Sequence, residues 1–264
     1  MLRRVLRRVA KVVGVVVVLA AAAYAVDALL LSGDDDAQTA AATPLRVSIL
    51  APGTFESAHP FAPYYVVPRK RFRDPTRLSR VARNTITTQP ESALSKGALA
   101  GSPQIVRLSL RSTAKDPVTV EGVRFRVVSA ASPLRGWFTA LSGCRAEPVR
   151  RAQGNLDSKR AAVRYVSVNG VVSRNLALEV ASGAPQVIEL RAATRRRRVA
   201  WTAELTVTDD DGRTSTVSVD DDGEPFRVTS ASASRGYEPV YGPTGITGFS
   251  RSDSLARGGS SCSS

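Results

Sequence analysis

The 264-residue chain has a formal net charge of +14, and with five lysines among its 37 basic residues it carries 32 arginines. So basic a balance calls for an anionic partner such as nucleic acid, a membrane surface or another polyanion, although arginine bias with abundant Ala, Val and Gly is also what a GC-rich genome encodes. Two cysteines, Cys144 and Cys262, allow one disulfide at most, and the length fits one ordinary domain with extensions or two small ones.

The N-terminus opens with Arg3, Arg4, Arg7, Arg8 and Lys11, a cytoplasmic basic arm over residues 1–11. An apolar run follows over residues 12–31, broken at Asp27 and resumed by Leu29, Leu30 and Leu31. At helical rise this run spans about 30 Å, the thickness of a bilayer core, so a single transmembrane helix is expected. Cations before it and Asp34, Asp35 and Asp36 after it place the N-terminus in the cytoplasm and the C-terminal domain outside the cell. A cleaved signal peptide is the alternative, since Ala23-Tyr24-Ala25 has the small-residue spacing of a peptidase site. Either reading exports the remainder.

Residues 32–44 are small and polar and form a tether. Residues 45–103 read as a mostly irregular, proline-rich segment with a possible first strand over 45–50, where Leu45, Val47 and Ile49 alternate. Within it, "DPTRLSRVARN" predicts a short helix capped by Asp74, with Pro75 in its first turn. Arg73, Arg77 and Arg80 share one side of that helix, either as a solvated face or as a contact for lipid headgroups or anionic wall polymer.

Over residues 104–230 the period becomes two. Val106, Leu108 and Leu110 oppose Arg107, Ser109 and Arg111, and "PVTVEGVRFRVVSA" repeats the alternation with Glu121-Gly122 marking a bulge or tight bend. Further strands are expected at 134–140, 162–168, 175–180, 186–192, 198–207, 213–219 and 226–229. Many short strands and no long helix predict an all-β fold, an antiparallel β-sandwich of Ig-like type behind the membrane helix. Trp201, in the strictest alternation of the chain, belongs at the core centre. Of the adjacent Trp137 and Phe138, opposite pointing on a strand leaves one facing solvent.

Two aspartate runs, Asp209 to Asp211 before Gly212 and Asp220 to Asp222 before Gly223, invite a calcium reading. Against D-x-[DN]-x-[DN]-G-x5-E, however, the first run puts Val207 and Ser218 at the outer ligand positions and the second puts Ser218 and Thr229 there. A strand over 213–219 separates the runs by about 23 Å, so they do not share an ion. Turns are the better reading, because Asp-Gly tolerates the backbone that tight turns need. Residues 231–264 are Ser/Gly-rich and are expected to be a disordered tail.

The segments "PVTVEGVRFRVVSAASPLRGWF", Gly143-Cys144, Asn155-Leu156-Asp157, the Trp201 strand and "DDDGEPFRV" together resemble a family of actinobacterial membrane-anchored exported proteins with a β-rich ectodomain. The resemblance implies a location and a fold, and no activity. Its members often carry cysteines just before the tryptophan, where this chain has Arg195, Arg196, Arg197 and Arg198, so the resemblance supplies no partner for Cys144.

Candidate chemistry is sparse. His59, the single histidine, lies in a proline-rich stretch without a nucleophile elbow. One histidine and two distant cysteines give no zinc spacing, no glycine-rich phosphate loop follows a strand, and no cofactor, metal site or catalytic residue is expected. Arg195 to Arg198 remain as a polyanion contact or, alternatively, as a charged strand edge that discourages pairing. Outside the cell nucleic acid is not the expected partner; anionic wall polymer, lipid headgroups or another envelope protein are. Three classes follow: a non-enzymatic interaction or structural module of the cell envelope, an accessory or regulatory subunit of a membrane complex, and a hydrolase with an unrecognised carboxylate site.

Overall fold

The computed structural model describes residues 43–50, 64–70, 75–77, 79, 94, 97–140, 149–158, 162–243 and 245–252. The chain divides into two compact units, Met1–Ala42 and Thr43–Ser264, and all the described residues belong to the second. The expected transmembrane helix, Cys144, Cys262 and His59 therefore lie outside the described residues. Among those described, no helix is long and apolar enough to cross a membrane.

The described part is all-β. Its strands are β1 (Leu45–Leu50), β2 (Tyr64–Pro68), β3 (Leu99–Gly101), β4 (Gln104–Ser112), β5 (Val118–Ala131), β6 (Gly136–Ala140), β7 (Arg150–Asn155) and β8 (Val163–Val166). They continue with β9 (Val172–Ser173), β10 (Leu178–Val180), β11 (Gln186–Ala193), β12 (Arg198–Thr208), β13 (Thr214–Val219), β14 (Phe226–Thr229), β15 (Arg235–Gly242) and β16 (Gly245–Arg251). One sheet runs β1-β4-β11-β7-β8-β9; the other runs β10-β5-β12-β14-β3-β2-β6-β15-β16, with β13 also beside β12.

An all-antiparallel order is not what forms. Both sheets are mixed, because β11 pairs parallel with β7, β14 with β3, and β15 with β6. Each parallel partner comes from a distant part of the chain, so no local turn reports the direction of pairing.

One apolar cluster draws on both sheets. Leu108 and Leu110 of β4 and Ile188 and Leu190 of β11 meet Phe125 of β5, Val199 to Val207 of β12, and Phe226 of β14. Trp201 is fully buried within it, its ring 5.3 Å from Phe125 and 4.8 Å from Phe226. Its indole Nε1–H donates to Gln104 Oε1 at 2.8 Å, which satisfies both buried polar groups.

Along β5 the register against β12 slips where Thr206 faces Gly122 and Val207 faces Val120, leaving Glu121 as the bulged residue the sequence marked. Tyr165 of the other sheet seals this irregularity: its hydroxyl accepts from Val123 N–H at 2.9 Å. The same ladder slips again at Val128.

Trp137 and Phe138 are both buried, contrary to the expectation that one would be exposed. β6 is an inner strand between β2 and β15, and both its faces are covered. Trp137 packs with Tyr65, Val67, Ala98 and Ala100 in a second apolar cluster, and Phe138 lies 4.8 Å from the Tyr64 ring.

The expected disordered tail contains an antiparallel hairpin, β15 with β16. Sparse aromatics dock it: Tyr237 and Phe249 lie 6.3 and 5.9 Å from Trp137, and Ile246 is buried. Low average hydrophobicity concealed residues that need only extend a sheet already formed. Likewise β1 lies where the alternation put it, whereas β2 and β3 emerge from the stretch read as mostly irregular.

Candidate functional site: an arginine turn

Between β11 and β12 the chain reverses from one sheet to the other through Thr194 to Arg197. The side chains of Arg195, Arg196, Arg197 and Arg198 are exposed there. No carboxylate among the described residues pairs with them; the ion pairs lie elsewhere, as at Arg126 with Glu204 and Arg213 with Asp211.

Buried polar groups hold the backbone of this turn. Thr194, itself only 2% exposed, donates its Oγ1–H to Asp157 Oδ1 at 2.7 Å, and Arg195 N–H donates to Asp157 Oδ2 at 2.7 Å. Arg197 N–H donates to Thr194 Oγ1 at 3.2 Å, and Thr194 N–H to Ser102 Oγ at 2.8 Å. From the opposite side Ser230 donates its hydroxyl to Arg195 O at 2.7 Å and its N–H to Arg197 O at 2.9 Å. The carboxylate bonds are charge-assisted and short, the stronger kind of hydrogen bond. Four cations are thus mounted on a fixed backbone, an arrangement that lowers the ordering cost of meeting a polyanion.

Asp157 belongs to the Asn155-Leu156-Asp157 segment, and each residue there has a part. Asn155 Oδ1 accepts from Asp157 N–H at 3.0 Å, Leu156 N–H donates to Ala193 O at 2.7 Å, and the Leu156 side chain is 2% exposed. The segment is a clamp on the arginine turn, a role that sequence reading missed.

Arg73 and Arg80 lie outside the described residues, and Arg77 closes a short 3-10 turn, Pro75–Arg77.

A second arginine group had escaped notice. Glu189 of β11, 3% exposed, accepts from Arg107 Nε at 3.2 Å and from Arg191 Nε, with Arg151 Nε at 3.9 Å. These residues share the outer face of the six-stranded sheet on adjacent strands. One carboxylate bonded to two guanidiniums, with a third at ion-pair distance, is a structural network, the pairing a buried charge needs.

Both aspartate runs form turns. Asp209 N–H donates to Arg213 O and Gly212 N–H to Asp209 O, each at 3.0 Å, with Gly212 at φ 76°, so that residues 209–213 form the hairpin connection between β12 and β13. The second run is an excursion from a strand. β13 and β14 pair with the same edge of β12, Val219 facing Ala203 and Phe226 facing Trp201, so residues 220–225 loop out opposite Thr202. Asp222 at φ 53° and Gly223 at φ 86° form the tip, closed by paired hydrogen bonds between Asp221 and Glu224. The carboxylates serve the turns directly: Asp209 Oδ1 accepts from Arg213 N–H and Asp220 Oδ1 from Gly223 N–H, each at 2.8 Å.

The acidity of Tyr64 is shifted by its surroundings. Burial pushes its hydroxyl up to about 12, and that hydroxyl donates to Ser102 O at 2.8 Å. Comparison with protein-family models, with curated proteins and with solved structures finds no match.

Proposed function

We propose that the chain is a single-pass, membrane-tethered β-sandwich module of the cell envelope, non-enzymatic, which makes electrostatic contact with an anionic envelope polymer through Arg195 to Arg198. The observation that carries this reading is the arginine turn, in which four unpaired guanidiniums stand on a backbone fixed by Asp157, Thr194 and Ser230. A charged edge that merely discouraged pairing would need no such clamp. The N-terminal basic arm and the apolar run over residues 12–31 supply the tether and the outward orientation.

Retention of the purified protein on cell-wall sacculi tests the reading. Binding that falls steeply as salt rises supports arginine-mediated contact. Retention indifferent to salt, or none at low salt, refutes it, and a stoichiometric membrane protein that co-purifies in its place would favour the accessory-subunit role.

A further inference from the structure

Three of the seven large apolar side chains left exposed among the described residues stand on one hairpin: Val168, Val171 and Val172, at 50%, 66% and 62%. The turn between β8 and β9 that presents them is well formed. Ser167 N–H donates to Val171 O at 2.9 Å, Gly170 N–H to Ser167 O at 3.0 Å, and Val171 N–H to Ser167 Oγ at 3.1 Å, with Gly170 at φ 81°. β9 is the outermost strand of its sheet, so the valines support no further strand there. Exposed Arg164 and Arg174 flank them on either side in sequence. A fixed apolar tip between cations matches the boundary between acyl chains and anionic headgroups.

Register shows which end of the sheet this tip faces. Leu45 pairs with Ser112, Leu110 with Gln186, Ile188 with Arg150, and Arg151 with Val166. The turn after β8 therefore points toward the end at which Thr43 and Pro44 enter, where Thr113 N–H donates to Pro44 O at 2.9 Å. The arginine turn follows β11 at the opposite end.

We infer that the β8–β9 hairpin docks on an anionic phospholipid bilayer, with Val168, Val171 and Val172 entering the acyl boundary and Arg164 and Arg174 meeting the headgroups. The inference rests on the reading of residues 12–31 as a membrane anchor. Residues 32–43 reach at most about 40 Å fully extended and about 20 Å as a coil, which keeps the entry end of the domain within range of the surface. Arginines whose stems lie along apolar surface while their heads remain at the headgroups suit that position.

The test uses the full chain with Cys144→Ser and Cys262→Ser, reconstituted in vesicles of phosphatidylcholine and phosphatidylglycerol that contain nitroxide-labelled lipid. An environment-sensitive fluorophore is placed in turn on Asn169→Cys, on Asp210→Cys in the turn after β12, and on Ala233→Cys. The expected result is blue-shifted, quenched emission at position 169 only, and loss of quenching by at least about fivefold in Val168→Ser/Val171→Ser/Val172→Ser with unchanged far-ultraviolet circular dichroism. Water-like, unquenched emission at 169 from a chain that withstands alkaline carbonate extraction overturns the inference and leaves the anchor reading intact. Quenching that persists after the valines are replaced also overturns it. A chain that carbonate releases, but whose position 169 is quenched before the wash, sinks the anchor reading while the hairpin contact stands.

Discussion

Asp157→Ala removes the clamp on the arginine turn without touching an arginine. Two acceptor bonds vanish, each 2.7 Å long in the folded chain, and the almost fully buried hydroxyl of Thr194 is left with only Arg197 O, at 3.4 Å, to donate to. Hydrogen bonds to charged groups contribute about 1.5–3 kcal/mol each, but water reaches the exposed Arg195 backbone and replaces part of that loss. A net destabilisation of about 2–3 kcal/mol is expected, a large share of the roughly 5–15 kcal/mol that holds a domain. Urea unfolding followed by tryptophan fluorescence measures it, and Thr194→Val completes a double-mutant cycle with a coupling above about 0.5 kcal/mol. The affinity for polyanion should fall while its salt dependence persists, because the same cations remain. A stability change below about 0.5 kcal/mol, with hydrogen exchange at Arg195 unaltered, would refute the clamp.

Gly154 lies beneath Phe125, and a Cβ there would stand 2.5 Å from the ring, so Gly154→Val should cost about 1–3 kcal/mol by overpacking. Phe125→Leu should recover part of that loss in the double variant, as thermal denaturation would show. At the tip of the second aspartate turn, Asp222→Gly should be neutral or stabilising, whereas Gly223→Ala should destabilise by about 1 kcal/mol, since both positions have positive φ. Equal effects would contradict the turn geometry. Tyr64 should ionise near pH 12 in an absorbance titration, against an ordinary 10.0. Because the unfolded chain releases this proton first, its contribution to stability is intact below pH 10 and declines as pH rises toward 12. In Tyr64→Phe that component of the decline should disappear.

Legibility in the sequence tracked how much a strand relies on its own side chains. β12 was plain because Val199, Trp201, Ala203, Leu205 and Val207 are all buried on one face. β7 was invisible, since "RRAQGN" offers the core only Ala152 and Gly154; Phe125 of the opposite sheet fills the space above them. β2, buried at three consecutive residues, shows no alternation at all. The hairpin of β15 and β16 depended on a sheet laid down by distant residues, which a local window cannot see. At the site, the four arginines stood out as a charge run. The groups that hold them did not, because Asp157 and Ser230 lie 38 and 35 residues from Arg195 and are ordinary polar residues in sequence.

Binding to sacculi at about 0.05 M and about 0.5 M salt shows whether Arg195 to Arg198 make the contact, across a large change in screening length. The wild-type chain should lose at least about tenfold in retention between the two conditions, and Arg195→Ser/Arg196→Ser/Arg197→Ser/Arg198→Ser should bind weakly at both. Equal retention of that folded variant and the wild type at low salt would contradict the account.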